Sequence, residues 1–332
     1  MLSVQHLLET HWQLAVEKVI PVGPVWKIEA VQGDFCLKRG KRSLSRLMFD
    51  HHAIEYLWRQ GFTRTPRLIP TVHGEAINRT DDGNFFLTRW VGRPLNPHAK
   101  AEWLAAAAVL GDFHQLSSGL SLPPQSTAVF FSSRWTRRFA ERTEELQLAL
   151  ATLERPQNAF EDVVRRDAAQ ILSQAKRATD LLMRSDYERM VQKVQRMPSL
   201  VHGNVKGENF AIDAHGQVSL IDFDAFRLDV PASDLVNLFQ NVLPGLNWSP
   251  EDALDILAAY HRARPVAPAE IEVLLALLSF PHQAYKELHK YKQQADRPLE
   301  KALRKWHPAV NEMYQTDEFL KKWAILLEKR VQ

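Results

Sequence analysis

The chain has 332 residues and a mass of 38.1 kDa, long enough to bury one large or two modest cores. Lys+Arg 42 against Asp+Glu 39 leaves a net charge of +3, a bias too small to indicate a nucleic-acid partner. The single cysteine, Cys36, excludes an internal disulfide, and no apolar stretch reaches the length of a bilayer span. We therefore expect a cytoplasmic protein without a membrane partner.

The first part of the chain shows the patterns of a small, β-rich unit. Apolar residues at three- and four-residue spacing predict two helices, and alternation of apolar and polar residues predicts several strands. An Asp-Asp-Gly turn is typical of a hairpin. The predicted helices cover residues 1–20 and 44–60, and the predicted strands cover 25–30, 34–38, 66–71, 75–78 and 84–90.

After a linker at residues 88–94 the chain becomes helical, and we place the boundary between two lobes at residues 92 and 93. The first helix of the second lobe is predicted to start at the Asn96-Pro97 pair, a residue type favoured at N-caps followed by proline. A long helical insertion is predicted at 132–155 and 158–197. Four arginines at its start are interpreted mainly as solvated surface: Arg134, Arg137, Arg138 and Arg142. Further helices are predicted at 102–117, from 231, from 249, and at 269–292 and 299–329.

The most informative stretch lies between residues 200 and 224. Alternating apolar residues predict two short strands, 209–213 and 217–222, joined by a turn at Gly216. A hairpin closed there brings Asn209, at the start of one strand, close to Asp222, at the end of the other. Two oxygen-bearing side chains at one end of a small sheet suit a hard divalent cation such as Mg²⁺.

This stretch resembles a known signature. His202-Gly203-Asn204, with Asn209 five residues later and then Asp222-Phe223-Asp224, is similar to the HGDxxxxN…DFD pattern of the aminoglycoside phosphotransferase-like kinases. Within them it looks most like the CotS family of spore-coat proteins. The resemblance implies an α+β, bilobal protein kinase-like fold with a small β-rich N-terminal lobe and a large α-helical C-terminal lobe.

The resemblance also implies ATP and Mg²⁺ as cofactors. It matches Lys38 to the lysine that pairs with ATP phosphates, with Glu55 on the next helix as its candidate partner or, alternatively, as a rim residue. Strand alternation places Cys36 on the same face as Lys38, under the adenine, unless it is an ordinary buried thiol. Gly23 stands where kinases carry a glycine-rich phosphate loop, or it simply forms a turn.

Further roles follow from the same comparison. Asn209 and Asp222 would hold the metal, and Asp224 would add a second carboxylate near it. His202 would brace the catalytic loop. Asp234 would cap the next helix and brace the same loop.

The departure from the pattern lies at Asn204, because the family has its catalytic aspartate there. One interpretation is a pseudokinase that binds ATP–Mg²⁺ and coat proteins, in the mother-cell cytoplasm and then in the spore coat. The alternative is an active phosphotransferase acting on a hydroxyl of a small molecule, a sugar or a protein. A third interpretation takes His202, His215, Asp222 and Asp224 as ligands of a metal phosphohydrolase.

Overall fold

A five-stranded antiparallel sheet and a larger set of helices form the two lobes of the structure, a computed structural model that describes residues 3–121, 134–153, 155–294 and 297–331. The predicted α+β, kinase-like arrangement is confirmed: a small β-rich N-terminal lobe precedes a large helical part. The two lobes meet at a cleft, and the elements below are described by how they position it.

The sheet of the N-terminal lobe has the strand order β1-β2-β3-β5-β4, with every neighbouring pair antiparallel. One helix precedes the sheet and one follows its third strand. The elements are α1 (Val4–Trp12), β1 (Val16–Val22), β2 (Val25–Ala30), β3 (Gly33–Gly40), α2 (Leu44–Arg59), β4 (Asn78–Thr80) and β5 (Gly83–Arg89).

Three predictions in this lobe are wrong, and one of them is the strand at 75–78, which the structure has instead at Asn78–Thr80. The first helix ends at Trp12, where Gln13 takes a left-handed conformation, and β1 follows. The β-branched residues of β1 outweigh the apolar spacing that suggested one helix over 1–20. Residues 66–71 form no strand but a single bridge between Ile69 and Leu87, because Pro66 and Pro70 lack the N–H groups that a ladder needs.

The C-terminal lobe contains nine helices and two small sheets in the part of the chain that the structure describes. The helices are α3 (Lys100–Ser117), α4 (Trp135–Ala151), α5 (Ala159–Arg184), α6 (Tyr187–Arg196), α7 (Ala232–Val242), α8 (Pro250–Ala263), α9 (Pro268–Ser279), α10 (His282–Gln293) and α11 (Leu299–Val331). The strands are β6 (Arg93–Pro94), β7 (Leu200–Val201), β8 (Phe210–Ile212), β9 (Val218–Leu220) and β10 (Arg227–Leu228).

The start of α3 differs from the prediction. Asn96 does not cap the helix: its Oδ1 accepts a hydrogen bond from the His98 backbone N–H at 3.0 Å, which closes a local turn, and α3 begins only at Lys100. Asparagine side chains compete in this way for nearby backbone groups. The helix predicted from residue 249 is present, and Ser249 caps it, since its hydroxyl accepts from the Asp252 N–H at 3.1 Å.

Two long predicted helices are each divided in the structure. The predicted helix at 158–197 becomes α5 and α6, separated at Ser185 and Asp186, and the one at 269–292 is interrupted at Phe280-Pro281. Proline disfavours a helical conformation in the residue before it, which explains the second break. Residues 132, 133 and 154 of the predicted insertion lie outside the described residues.

The apolar residues form two cores of unequal size. The smaller core joins α1 to the sheet through residues such as Leu8, Trp12 and Leu37. The larger core fills the helical lobe and also takes in Phe49 and Leu57 of α2. Helix α2 therefore packs against the helical lobe, while Leu47, Asp50 and His51 of the same helix line the cleft.

The connection between the lobes crosses the β8–β9 hairpin at Gly92. Its φ is +127°, and a Cβ at this position would overlap the carbonyl oxygen of Ile212. Only glycine permits so close a passage. None of the helices described here is long and apolar enough to span a bilayer.

Candidate functional site

A cleft of about 480 Å³ lies between the two lobes, within the size range of small-molecule sites. The sheet contributes Cys36 and Lys38, the connection contributes Trp90, and the hairpin region contributes Asn209 and Asp222. Residues that are more than 170 positions apart in the sequence thus face one cavity. The cleft is the candidate site.

Lys38 joins the lobes through two ion pairs. Its Nζ contacts Asp222 Oδ1 and lies 2.9 Å from Asp224 Oδ2, while only 12% of the Lys38 side chain is exposed. Burial lowers the pKa of Lys38, but the charges of Asp222 and Asp224 outweigh it and leave the pKa above its usual value. Burial likewise opposes ionisation of Asp222, yet Lys38 leaves the pKa of that carboxyl below its usual value. The lysine is therefore a cation held between two carboxylates.

The hairpin places the polar residues that the sequence singled out. β8 and β9 pair in register, and the Ile221 N–H donates to the Asn209 carbonyl at 2.9 Å, so Asn209 and Asp222 come together as predicted. Asn209 Nδ2 donates to the Asn204 carbonyl at 2.7 Å, which leaves Oδ1 as the atom available to a cation. Asp222 has φ +66°, an uncommon backbone conformation for a residue with a side chain and typical of functional sites.

Glu55 is not the partner of Lys38, so that prediction is wrong. Its carboxylate pairs with Arg67, at 2.9 Å from Nε and 2.5 Å from Nη2, and Glu55 is not among the residues that line the cavity. Asp50 is the acid of α2 that lines the cavity. Burial raises the pKa of Asp50 to about 7, against the opposing charges of Arg46 and other cations. Five residues turn a helix by about 140°, so the two acids face different directions.

The loop that enters the hairpin is held by the buried carboxylate of Asp234. Its oxygens accept hydrogen bonds from the backbone N–H groups of His202, at 2.5 Å, and Gly203, at 2.8 Å. Asp234 is fully buried and does not cap α7, whose N-cap is Pro231 without a side-chain hydrogen bond. The predicted contact with the loop is therefore present, whereas the predicted cap is wrong.

A series of hydrogen-bonded side chains in the helical lobe holds Asp234 in place. His114 Nε2 donates to Asp234 Oδ2 at 3.0 Å, its Nδ1 accepts from the Tyr260 hydroxyl at 2.7 Å, and Arg264 donates to Tyr260 at 3.1 Å. Burial opposes ionisation of Asp234, but His114 outweighs it and leaves the pKa below its usual value. Burial lowers the pKa of His114, which matches a neutral ring with one donor and one acceptor. No pattern in the sequence signals this role of His114.

The contacts of His202 indicate a structural role. Its ring is completely buried, and Nε2 donates to the Ile221 carbonyl at 2.9 Å. Burial lowers its pKa, and Nδ1 has no hydrogen-bond partner among the described residues. The ring thus ties the loop to the hairpin and does not face the cavity.

Asn204 lies in the same loop and is exposed, but it is not among the residues that line the cavity. Two residues later, Lys206 lines the cavity and pairs with Glu208 at 2.7 Å. The sequence did not single out Lys206, although its position between Asn204 and Asn209 was a usable signal. Glu208 remains 78% exposed and lies next to Asn209 in the chain.

The remaining predicted positions also line the cleft. Cys36 shares the cavity with Lys38, as strand alternation predicted, and burial raises the pKa of its thiol to about 11. Gly23 lies in the two-residue turn between β1 and β2, where Val22 pairs with Val25. Because Pro24 has no N–H, this turn offers few backbone donors to a phosphate.

The geometry opposes the phosphohydrolase interpretation. His202 uses its ring inside the protein, and His215 is exposed in the hairpin turn. Across the part of the chain that the structure describes, no group of three or more His, Cys, Asp or Glu residues is arranged to hold a metal ion. A cation here would instead need the amide oxygen of Asn209 together with Asp222 and Asp224.

We predict that the buried histidine gives the stability a defined pH dependence. An unfolded histidine takes up a proton near pH 6.5, but folded His114 does so only at lower pH. The free energy of unfolding should therefore fall below pH 6.5, by up to about 1.4 kcal/mol per pH unit for this group. Urea unfolding at several pH values should show a shallower slope in His114→Gln, whose amide can still donate to Asp234.

The slope should not vanish in that variant, because burial also lowers the pKa of His202, and of His282 to about 4. His215→Gln, in the exposed turn, is the matched control and should behave as the parent protein. An unchanged slope in His114→Gln would contradict the assignment of a neutral ring.

Solved structures share the fold of the chain. An aminoglycoside phosphotransferase from Alicyclobacillus acidocaldarius aligns with a TM-score of 0.83 at 20% identity, over 99% of this chain and 97% of that one. A spectinomycin phosphotransferase in complex with AMP gives 0.61 at 12% identity, over 93% and 96% of the two chains. The amicoumacin kinase hAmiN, crystallised with AMP-PNP and Ca²⁺, gives 0.58 at 15% identity, over 97% and 94%.

The sequence model of the phosphotransferase enzyme family, APH, matches residues 23–274, well over half of the 332 residues. The matched range includes strands β2 to β5 of the sheet, the hairpin, and the polar residues of the cleft. The chain belongs to the phosphotransferase enzyme family.

Proposed function

We propose that the protein binds ATP with a divalent cation in the cleft and acts as a pseudokinase or a weakly active phosphotransferase. The observation that carries the proposal is a difference between the cleft and the loop beside it. The cleft has the groups that phosphates and a metal require, namely Lys38, Asn209, Asp222 and Asp224. Asn204, an exposed residue of the adjoining loop, has an amide at the position where the resemblance expects a base.

Nucleotide binding is supported by charge and shape. Phosphoryl transfer depends on positioning and on neutralising phosphate charge, and Lys38 and Lys206 supply two cations to the cavity wall. Its volume suits a nucleotide, and the backbone of the inter-lobe connection is available near Trp90. The solved relatives described above were crystallised with AMP or AMP-PNP.

The residues present also fit a divalent metal. Two carboxylates and one amide oxygen are donors of the kind that Mg²⁺ prefers. The ammonium of Lys38 already lies between Asp222 and Asp224, so the pair is arranged to hold positive charge. A bound Mg²⁺ would supply charge neutralisation to the phosphates, and Asn209, Asp222 and Asp224 are the residues that would hold it.

The site lacks a proton acceptor at residue 204. A carboxylate at position 204 would orient an acceptor hydroxyl and accept its proton, but the amide of Asn204 cannot. A positioned acid–base group contributes about 10²–10⁴ in rate, or roughly 3–5 kcal/mol of barrier. His202 cannot replace it, since its ring is buried and bonded to Ile221. These contacts favour binding over efficient catalysis.

The alternative is an active ATP-dependent phosphotransferase that acts on a hydroxyl of a small molecule, sugar or protein. Glu208 favours it, because this exposed carboxylate also lines the cavity. Its ion pair with Lys206 would have to open before it could accept a proton from a bound hydroxyl.

The spore-coat role belongs to the same proposal and rests on the resemblance of the 202–224 signature to CotS proteins. It implies coat proteins as partners and a path from the mother-cell cytoplasm to the coat. Immunodetection in coat extracts of spores tests it. A protein found only in the soluble mother-cell extract would contradict it.

The first prediction concerns nucleotide binding. ATP–Mg²⁺ at 100 times its dissociation constant should stabilise the parent by about 2.7 kcal/mol. Asp222→Asn removes a charge needed by the metal, while asparagine tolerates the left-handed backbone of this position. Thermal unfolding should therefore show no Mg²⁺-dependent shift in Asp222→Asn but a normal one in Glu208→Gln. An equal shift in both variants would exclude Asp222 from the site.

The second prediction concerns Cys36. With its pKa raised to about 11, the thiol is almost wholly protonated at neutral pH and should react slowly with iodoacetamide. The rate should rise about tenfold per pH unit below that value, since the thiolate is the nucleophile. Saturating ATP–Mg²⁺ should slow it further by covering the cavity. Equal rates with and without bound nucleotide would place the thiol outside the nucleotide site.

The third prediction concerns Asn204. Asn204→Asp is isosteric and exposed, so it should fold as the parent does while restoring a proton acceptor. ATP hydrolysis should rise by at least tenfold, with the roughly 10²–10⁴ of a general base as its ceiling. The double variant Asn204→Asp/Asp222→Asn should lose this gain. A parent already as active as Asn204→Asp would show that another base operates, and Glu208 would then be tested first.

A further inference from the structure

Lys38 takes up the place in the cleft where a metal would bind. Its Nζ contacts Asp222 and lies 2.9 Å from Asp224 Oδ2, so one ammonium group is held by both carboxylates. The same carboxylates, with Asn209, are the groups that would hold Mg²⁺. An ammonium group and a divalent cation repel each other strongly at such short distances. A metal that binds here without an intervening phosphate must therefore displace the ammonium group.

The displaced ammonium group of Lys38 needs another partner inside the cleft. Only 12% of the side chain is exposed, and the backbone of Lys38 is fixed in β3, where it pairs with Val25 of β2 and Phe86 of β5. The group can thus move only as far as its side chain reaches. A charge that is left buried without a partner is costly. The partner must therefore be an acid that lines the same cavity.

Four acids among the described residues line the cavity, and three of them have other roles. Asp222 and Asp224 would hold the metal. Glu208 is 78% exposed and pairs with Lys206 at 2.7 Å. The fourth acid, Asp50 of α2, is the remaining candidate.

The carboxylate of Asp50 is poorly satisfied in the free protein. Asp50 is only 7% exposed, and its Oδ1 atom is buried without a hydrogen-bond partner among the described residues. Its ion pair with Arg46 is long, at 3.5 Å, and the guanidinium of Arg46 lies over the Phe49 ring, 4.6 Å from the centroid. A buried acceptor that lacks a donor costs free energy. The ammonium group of Lys38 would supply that donor.

Lys38 and Asp50 already interact electrostatically. Burial raises the pKa of Asp50 to about 7, while the charges of Arg46, Arg42 and Lys38 act in the opposite direction. The charge of Asp224, a present partner of Lys38, adds to the increase. Asp50 is thus close enough to interact with both members of that ion pair. Arrival of the ammonium group would stabilise the ionised form of Asp50.

We infer that Lys38 is an exchangeable internal cation: it holds Asp222 and Asp224 together in the free protein, and it moves to Asp50 when a divalent metal binds to them. Asp50 is then a positioning residue, because it acts on the metal only through Lys38. The inference rests on the proposed function, which supplies the metal and its ligands. A divalent cation by itself should bind weakly, since it must displace Lys38, whereas phosphate groups that attract Lys38 should favour metal binding. The exchange therefore couples metal binding to nucleotide binding.

The first experiment measures binding of Mn²⁺ alone to the full chain without nucleotide, by electron paramagnetic resonance of the free ion. Lys38→Met removes the ammonium group and keeps an apolar side chain of similar length. Mn²⁺ should therefore bind at least about tenfold tighter than to the parent, the value of one charge-assisted contact. Lys38→Met/Asp222→Asn should lose this gain. Lys18→Met makes the same change in net charge on the exposed part of β1, outside the cavity, and should bind Mn²⁺ as the parent does.

The second experiment tests Asp50 by a double-mutant cycle with the same measurement. Asp50→Asn should weaken Mn²⁺ binding by about tenfold in the parent background, because the displaced Lys38 then has no carboxylate to accept it. In the Lys38→Met background the same change should alter Mn²⁺ binding by no more than about twofold, as for sites that do not interact. Glu55→Gln is the matched control on α2, since Glu55 pairs with Arg67, and should have no effect in either background.

Three results would overturn the inference. They are no gain in Mn²⁺ binding by Lys38→Met over the parent, equal effects of Asp50→Asn in the two backgrounds, and equal effects of Asp50→Asn and Glu55→Gln. The second of these would mean that Asp50 acts on the metal directly. Thermal unfolding checks that each variant is folded, and Lys38→Leu and Asp50→Ser replace any variant that is not.

Binding of AMP-PNP with Mg²⁺ is measured separately. Failure of the nucleotide to bind would count against the proposed function, while the titrations with Mn²⁺ alone would still decide the present inference.

Discussion

The catalytic loop depends on one buried carboxylate. Asp234 accepts hydrogen bonds from two successive backbone N–H groups of the loop, at His202 and Gly203, and an ionised carboxylate in a dry interior needs such donors to remain charged. His114 adds a third donor and is itself fixed by Tyr260. The loop geometry is therefore set from the core of the helical lobe, through side chains that never reach the cleft. Removing any one of them would leave the others buried without a full set of partners.

Lys38 connects the two lobes inside the cleft. Its ion pairs with Asp222 and Asp224 span the gap between a β-strand and the hairpin, and both partners keep about a third of their side chains exposed. A pair of this kind is held more loosely than the buried Asp234 network, because solvent screens it. A cationic ligand can compete for the two carboxylates, whereas nothing competes for Asp234. The rigid and the exchangeable parts of the site are thus built from different elements.

The sequence predicted the elements whose chemistry is local. The hairpin, its turn and the meeting of Asn209 with Asp222 follow from alternation and turn residues over some twenty positions, whereas Lys38 is singled out only through the resemblance to the kinase signature. The failures need information from elsewhere in the chain. Glu55 and Asp50 both lie on α2, but only the packing of Phe49 into the larger core determines which of them faces the cleft. The bond between His114 and Asp234 joins residues 120 positions apart, and no local pattern specifies it.

The structure also explains why an amide at residue 204 is compatible with an intact loop. Asn204 contributes its carbonyl oxygen to the loop, where Asn209 Nδ2 binds it, but its side chain is exposed. The shape of the loop comes from Asp234 and Asn209, so exchanging a carboxylate for an amide at residue 204 removes no buried partner. Surface substitutions without such partners usually change stability by no more than about 0.5 kcal/mol. The side chain at residue 204 can therefore change with little cost in folding, whereas Lys38, Asp222 and Asp224 also hold the two lobes together through their ion pairs.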